Sequence, residues 1–186
     1  MFIVGCISSL GFAPYHIFIF TIISFYFSFV ILDNTKEKKK AFILGFTFGF
    51  GHQVTSLYWI AVSFDIANYG GYLGGALAVM FLSIFLSLIT ATSFFLIKLF
   101  ANRLNTISAA VLMVIILSIS DWVRGNILWE FPWTPISAIW AFSKLTISPF
   151  ALLGSWGYGL ITFSLMVGIY FLKYNLKQGL LMIFPF

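Results

Sequence analysis

Residues 121–133 read DWVRGNILWEFPW, and the fold follows from what surrounds them. Three of the chain's fifteen Asp, Glu, Lys and Arg residues and three of its six tryptophans fall here, between long runs of Ile, Leu, Val and Phe. A charge at the centre of a bilayer costs about 2.5 to 3.5 kcal/mol, whereas each Leu, Ile, Phe or Val returns only about 0.3 to 0.6. Asp121 and Arg124 are therefore expected at a helix end or facing protein or water. Three positions apart, they share one helical face and can form a structural ion pair. The rival use of this cluster is a site for an amphipathic ligand, with Arg124 on a phosphate or carboxylate and the aromatics around its chains.

The rest of the chain supports a membrane setting. Of 186 residues, 61% are hydrophobic and 8% charged, and the mean hydropathy is +1.06, far from the roughly 25% charge of soluble domains. The sequence reads as an all-α integral membrane protein: one transmembrane domain over residues 1–186, a polytopic bundle of about six to seven helices. The net charge of +5 resides in short connections between apolar runs, which excludes a nucleic-acid partner.

Before the central stretch, residues 2–12 are apolar and stop at Gly11-Phe12-Ala13-Pro14-Tyr15. Eleven helical residues cover roughly 17 Å, about half a hydrocarbon core, so the first helix is expected to be incomplete. A single kinked helix through Pro14 is the alternative. Residues 17–32 form a second span. The loop at 33–40, DNTKEKKK, carries Lys36, Lys38, Lys39 and Lys40 and is assigned to the cytoplasm. Residues 41–63 make a third span, in which Gly45 and Gly49 lie on one face and suit close helix packing. The connection at 64–71 faces outward, residues 72–97 return, and residues 106–120 deliver the chain to Asp121.

Beyond it, residues 125–149 hold Pro132, Pro135 and Pro149 among aromatics, and read as broken or interfacial helices. Residues 151–172 form the sixth span. Residues 176–186 begin a seventh that is too short to cross. In this topology eight of ten Lys and Arg residues are cytoplasmic, only Arg124 and Lys144 lie outside, and residues 121–133 sit at the outer face.

Catalytic signals are sparse. The single cysteine, Cys6, excludes an internal disulfide and a multi-cysteine metal site, and no HExxH, CxxC, GxSxG or SxxK spacing occurs, so neither metal nor cofactor is expected. His52, within the third span, is expected to hydrogen-bond a neighbouring helix.

The pattern as a whole resembles the membrane region of bacterial apolipoprotein N-acyltransferases. The resemblance rests on Gly11-Phe12-Ala13-Pro14-Tyr15; Gly45 with Phe48-Gly49-Phe50-Gly51 and Leu57-Tyr58-Trp59-Ile60; Asp121-Trp122-Val123-Arg124-Gly125; Phe131-Pro132-Trp133 with Trp140; and Leu153-Gly154-Ser155-Trp156-Gly157. It implies a bacterial inner-membrane protein whose family moves an acyl chain from a phospholipid donor to the amino group of a lipoprotein's diacylglyceryl-cysteine. The family's catalytic Glu, Lys and Cys lie in a nitrilase-like domain after the seventh helix. The chain is therefore expected to be a truncated membrane portion with no catalytic residue of its own, inactive alone, and to need a separately encoded catalytic domain as partner. The candidate lipid or substrate contacts are Tyr58, Trp59, Arg124, Trp129, Glu130 and Trp133. The family has Gly where this chain has Glu130, and Gly-Tyr where it has Ser137-Ala138. A non-catalytic membrane protein, such as a small transporter or assembly partner, and a gene remnant are the other readings.

Overall fold

The computed structural model describes residues 1–127 and 133–184, with residue 102 described by its backbone alone. Among the described residues the regular structure is entirely helical. Three helices are long and apolar enough to cross a membrane: α5 (Gly71–Phe100), α6 (Thr106–Asn126) and α8 (Phe150–Phe171). Shorter apolar helices accompany them, namely α1 (Phe2–Ser8), extended by a 3-10 turn at Ser9–Gly11, and α2 (Phe18–Asp33). The remaining helices are α3 (Lys38–Ser56), α4 (Trp59–Ile66), α7 (Lys144–Ile147) and α9 (Leu176–Ile183).

Burial is inverted relative to a water-soluble protein. Phe81 is 71% exposed and Leu73 74% exposed on α5, while Ser83 and Ser87 of the same helix are buried, as are Thr21, Ser24 and Ser28 of α2. Small and hydroxylated residues let helix backbones approach, and the hydroxyls of Thr21, Ser28 and Ser87 close onto backbone carbonyls, Ser28 onto Phe25 at 2.7 Å. The main core gathers Phe25, Phe29, Phe48, Phe94, Met113 and Phe163 from α2, α3, α5, α6 and α8.

Helix α3 meets its neighbours through two glycine faces. A Cβ on Gly45 would lie 2.8 Å from the Thr90 carbonyl oxygen and one on Gly49 3.0 Å from Thr90 Cβ, so this pair faces α5. Gly51 faces α1 instead: its Cβ would lie 2.2 Å from the Phe2 carbonyl oxygen, and a Cβ on Gly5 would lie 2.1 Å from that of Phe48.

Several boundaries differ from expectation. No kinked helix runs through Pro14; the chain turns there and α2 begins at Phe18. The third span, expected at 41–63, is two helices. It breaks at Leu57 and Tyr58, just after Thr55 donates its hydroxyl to the Gly51 carbonyl at 2.6 Å, and Leu57 is then buried in a second cluster with Ala61, Val79 and Leu86. Hydroxyl groups that bond back along a helix compete with its amide ladder and bend it. The outer connection, expected at 64–71, shrinks accordingly, because α4 continues to Ile66 and turns through Asn68 and Gly70, both at positive φ. Helix α6 runs six residues past the expected 120, so Asp121 and Arg124 lie inside its final turns. Helix α8 contains an interruption at Gly154 (φ 66°, ψ 176°), backbone that favours glycine.

Candidate functional site

Asp121 and Arg124 are both buried and lie one turn apart on α6, where the guanidinium pairs with the carboxylate. The pair is tied to the chain that follows it. The other Asp121 oxygen accepts the Ile136 N–H at 3.1 Å, and Arg124 donates to the Thr134 carbonyl at 3.4 Å. Thr134, at φ 41°, donates its hydroxyl to Gln53 Oε1 of α3 at 3.4 Å. The carboxylate thus caps the start of the 3-10 helix at Ile136–Trp140, which is also pinned to α8 by Trp140 Nε1 donating to Thr162 at 2.8 Å.

The preceding residue of α3, His52, extends this polar seam to α1. Ser8 Oγ donates to the Gly5 carbonyl at 2.6 Å and lies 2.7 Å from His52 Nδ1. With its one proton committed to Gly5, the hydroxyl accepts from Nδ1–H, which sets the tautomer. Phe12 packs edge-on against the imidazole at 5.2 Å. Between His52, Arg124 and Thr134 lies a cavity of about 30 Å³, room for about one or two water molecules. The Gln53 amide nitrogen and Arg124 Nε are buried without a protein partner, and water there would satisfy them.

The aromatic candidates lie on another surface at the same end. Tyr58 and Trp59, each 45% exposed, sit at the break between α3 and α4. Trp133 is half-buried against the Leu57 cluster beside that break. Tyr58 also lines an open groove of about 510 Å³ between α1 and α3, together with Ile3, Ile7, Leu10, Val54 and Thr55. Cys6 lines the same groove. Arg124 is thus turned inward to its carboxylate, away from this groove, while Tyr58, Trp59 and Trp133 cluster by the helix break. Trp129 and Glu130 lie outside the described residues. No set of three His, Cys, Asp or Glu side chains converges as a metal site among the described residues.

Sequence reasoning missed the partners of the ion pair, because a backbone N–H and a carbonyl carry no residue signature. It also missed that Gly125 and Trp156 touch. A Cβ on Gly125 would lie 2.0 Å from the indole Cη2, so the end of α6 nests against α8 only because that residue is glycine.

The comparisons with known proteins converge on one group. A family model described as the apolipoprotein N-acyltransferase N-terminal domain matches residues 4–168. The chain is similar to the apolipoprotein N-acyltransferase of Vibrio vulnificus, 32% identical over 176 residues, covering 89% of this chain and 32% of the relative. It is similar to that of Rhodopseudomonas palustris, 30% identical over 167 residues and covering 85% and 30%. It is also similar to that of Rickettsia typhi, 29% identical over 173 residues and covering 91% and 33%. The chain therefore spans about a third of the length of the curated relatives it matches.

Proposed function

Because this chain belongs to the apolipoprotein N-acyltransferase family through that N-terminal domain, we propose that it forms the membrane portion of an acyl-transfer system and admits lipid between α1 and α3. The observation that carries the reading is the groove ending at Tyr58: it is open, about 510 Å³, has Ile3, Ile7, Leu10 and Val54 among its walls, and borders the α3–α4 break where Trp59 is exposed. An acyl chain suits such a wall, and exposed Tyr and Trp suit the headgroup level above it. Phospholipid is the proposed acyl donor and a lipoprotein the acceptor, with Tyr58, Trp59 and Trp133 as contacts.

The chain would lie in the bacterial inner membrane as one domain of about six to seven helices, α1 and α9 being too short to cross. Lys36 and the first turn of α3, with Lys38, Lys39 and Lys40, face the cytoplasm and the end of α6 faces outward. The bundle's part is to bind and position lipid, while the chemistry belongs to a nitrilase-like catalytic domain. Supporting that division, the groove around Cys6 presents only hydroxyls and apolar groups, without the base that thiol activation requires. By itself the 186-residue chain would transfer no acyl groups.

A photoactivatable phospholipid tests the proposal. In proteoliposomes it should label peptides containing Ile7, Val54 and Tyr58, and a diacylglyceryl-cysteine peptide should compete. Labelling spread evenly over α5, α6 and α8, without competition, would rule the groove out.

A further inference from the structure

A second cavity lies at the opposite end of the bundle. Thr106 lines it, and Thr106 and Arg124 are about 27 Å apart along α6 at the usual helical rise. The cavity measures about 240 Å³ between the ends of α2, α5, α6 and α8. Its depth is apolar, formed by Phe29, Ile97 and Met113, all buried, and its mouth holds Asp33 and Tyr174, both exposed.

Lys98 sets its character. This lysine of the last turn of α5 lines the cavity yet is only 8% exposed. Its ammonium donates to the Asp33 carbonyl at 3.1 Å, one of the three bonds such a group can make. Among the described residues no carboxylate lies within ion-pairing distance of it. The acid at the mouth is already engaged: the Asp33 carboxylate accepts from the Tyr174 hydroxyl and lies 3.8 Å from Lys173 Nζ. Two cations therefore face one acid. The carbonyl ends of α2 and α5 ease the burial of Lys98, but they leave its charge without an anionic partner.

We propose that this cavity binds the phosphate of an anionic phospholipid from the adjacent leaflet, with the phosphate on Lys98 and the first carbons of the lipid against Phe29, Ile97 and Met113. The site is remote from the Tyr58 groove and stands independently of the acyl-transfer reading. The volume equals about eight water molecules, enough for a glycerophosphate. The acyl chains would then pass over Phe100 and Leu104, which are 46% and 44% exposed. A buried cation above an apolar floor, between helix ends on one side of a bundle, is the chemistry that retains such headgroups. Free phosphate would leave the floor unused.

The test uses the full 186-residue chain in nanodiscs of equal phosphatidylglycerol and phosphatidylcholine, extracted gently, with retained lipid counted by mass spectrometry. Wild type should retain phosphatidylglycerol over phosphatidylcholine by about fivefold, the bias expected of one basic contact. Lys98→Met should abolish the bias and Lys98→Arg should keep it. Ala109→Phe, which fills the cavity and spares the cation, should also abolish it. Lys40→Met, altering an exposed lysine, should not. Should Lys98→Met fail to fold, Ala109→Phe against Lys40→Met decides the matter. An unbiased wild type, a bias surviving in Lys98→Met or Ala109→Phe, or displacement of the lipid by millimolar inorganic phosphate overturns the assignment.

Discussion

Replacing Asp121 by Asn separates the two roles open to Arg124. Asparagine keeps the shape and can still accept the Ile136 N–H, now 3.1 Å from the carboxylate, so the change isolates the charge. It leaves a buried guanidinium with only the Thr134 carbonyl at 3.4 Å. Stranding one member of a buried ion pair costs about 3 to 5 kcal/mol, against about 0 to 1 for an exposed pair. Arg124→Met strands the carboxylate and should cost about as much. The double variant removes both charges and should cost only about 1 to 3 kcal/mol, the scale of the hydrogen bonds left unmade. Independent sites would instead add to about 6 to 10 kcal/mol. The assay is equilibrium unfolding in mixed micelles, followed by tryptophan fluorescence. A double variant equal to the sum of the singles, or Asp121→Asn costing under about 1 kcal/mol, would refute the pair as an internal tie. An Arg124 that served lipid alone would show the opposite signature: Arg124→Met would weaken lipid binding with no coupling to Asp121.

Two further outcomes follow from the packing and the charge pattern. Gly51→Val and Gly5→Val should each release α1 from α3 and shift the purified chain toward aggregated species in size-exclusion chromatography, since even a Cβ would come within 2.2 Å of a facing carbonyl oxygen; Gly157→Ala, whose Cβ would lie 3.3 Å from a leucine side chain, should elute as wild type. With Cys6 replaced by Ser, a cysteine placed at Lys38 should resist a membrane-impermeant maleimide added to intact spheroplasts, and one placed at Asn126 should react; the reverse pattern inverts the proposed orientation.

The parts of the fold that were legible in the sequence are those decided by hydropathy over a long window. Two of the three long spans, α5 and α8, begin and end within a few residues of expectation, because apolar runs end where lysines or prolines appear. Interruptions were not legible. Residues 41–63 hold no proline and no charged residue, and polar residues within them, His52, Gln53, Thr55 and Ser56, are each compatible with a continuous span, so nothing in the sequence marks the break at Leu57; it depends on where Leu57 and Ala61 find a pocket on α5. The Gly45 and Gly49 spacing was legible because both lie on one helix, whereas Gly5 and Gly51 pair across two helices and only the assembled backbone aligns them.

The candidate site divides along the same line. Asp121 and Arg124 share a helix, and their spacing alone predicts a common face. Their effect on the chain comes from partners further along it, at Thr134, Ile136 and Gln53. This gives α3 two working faces near its end. His52 and Gln53 belong to the polar seam joining α1 to α6, while Val54, Thr55 and Tyr58 wall the open groove. A helix carrying both cannot tilt for a lipid in the groove without straining the bonds of the seam, because the 2.7 Å contact to Ser8 and the chain from Gln53 to Arg124 anchor adjacent residues of the same turn. The buried ions near the end of α6 thus tie α3 in place beside the groove, which is why their loss should be felt first as lost stability and only through that in the proposed lipid binding.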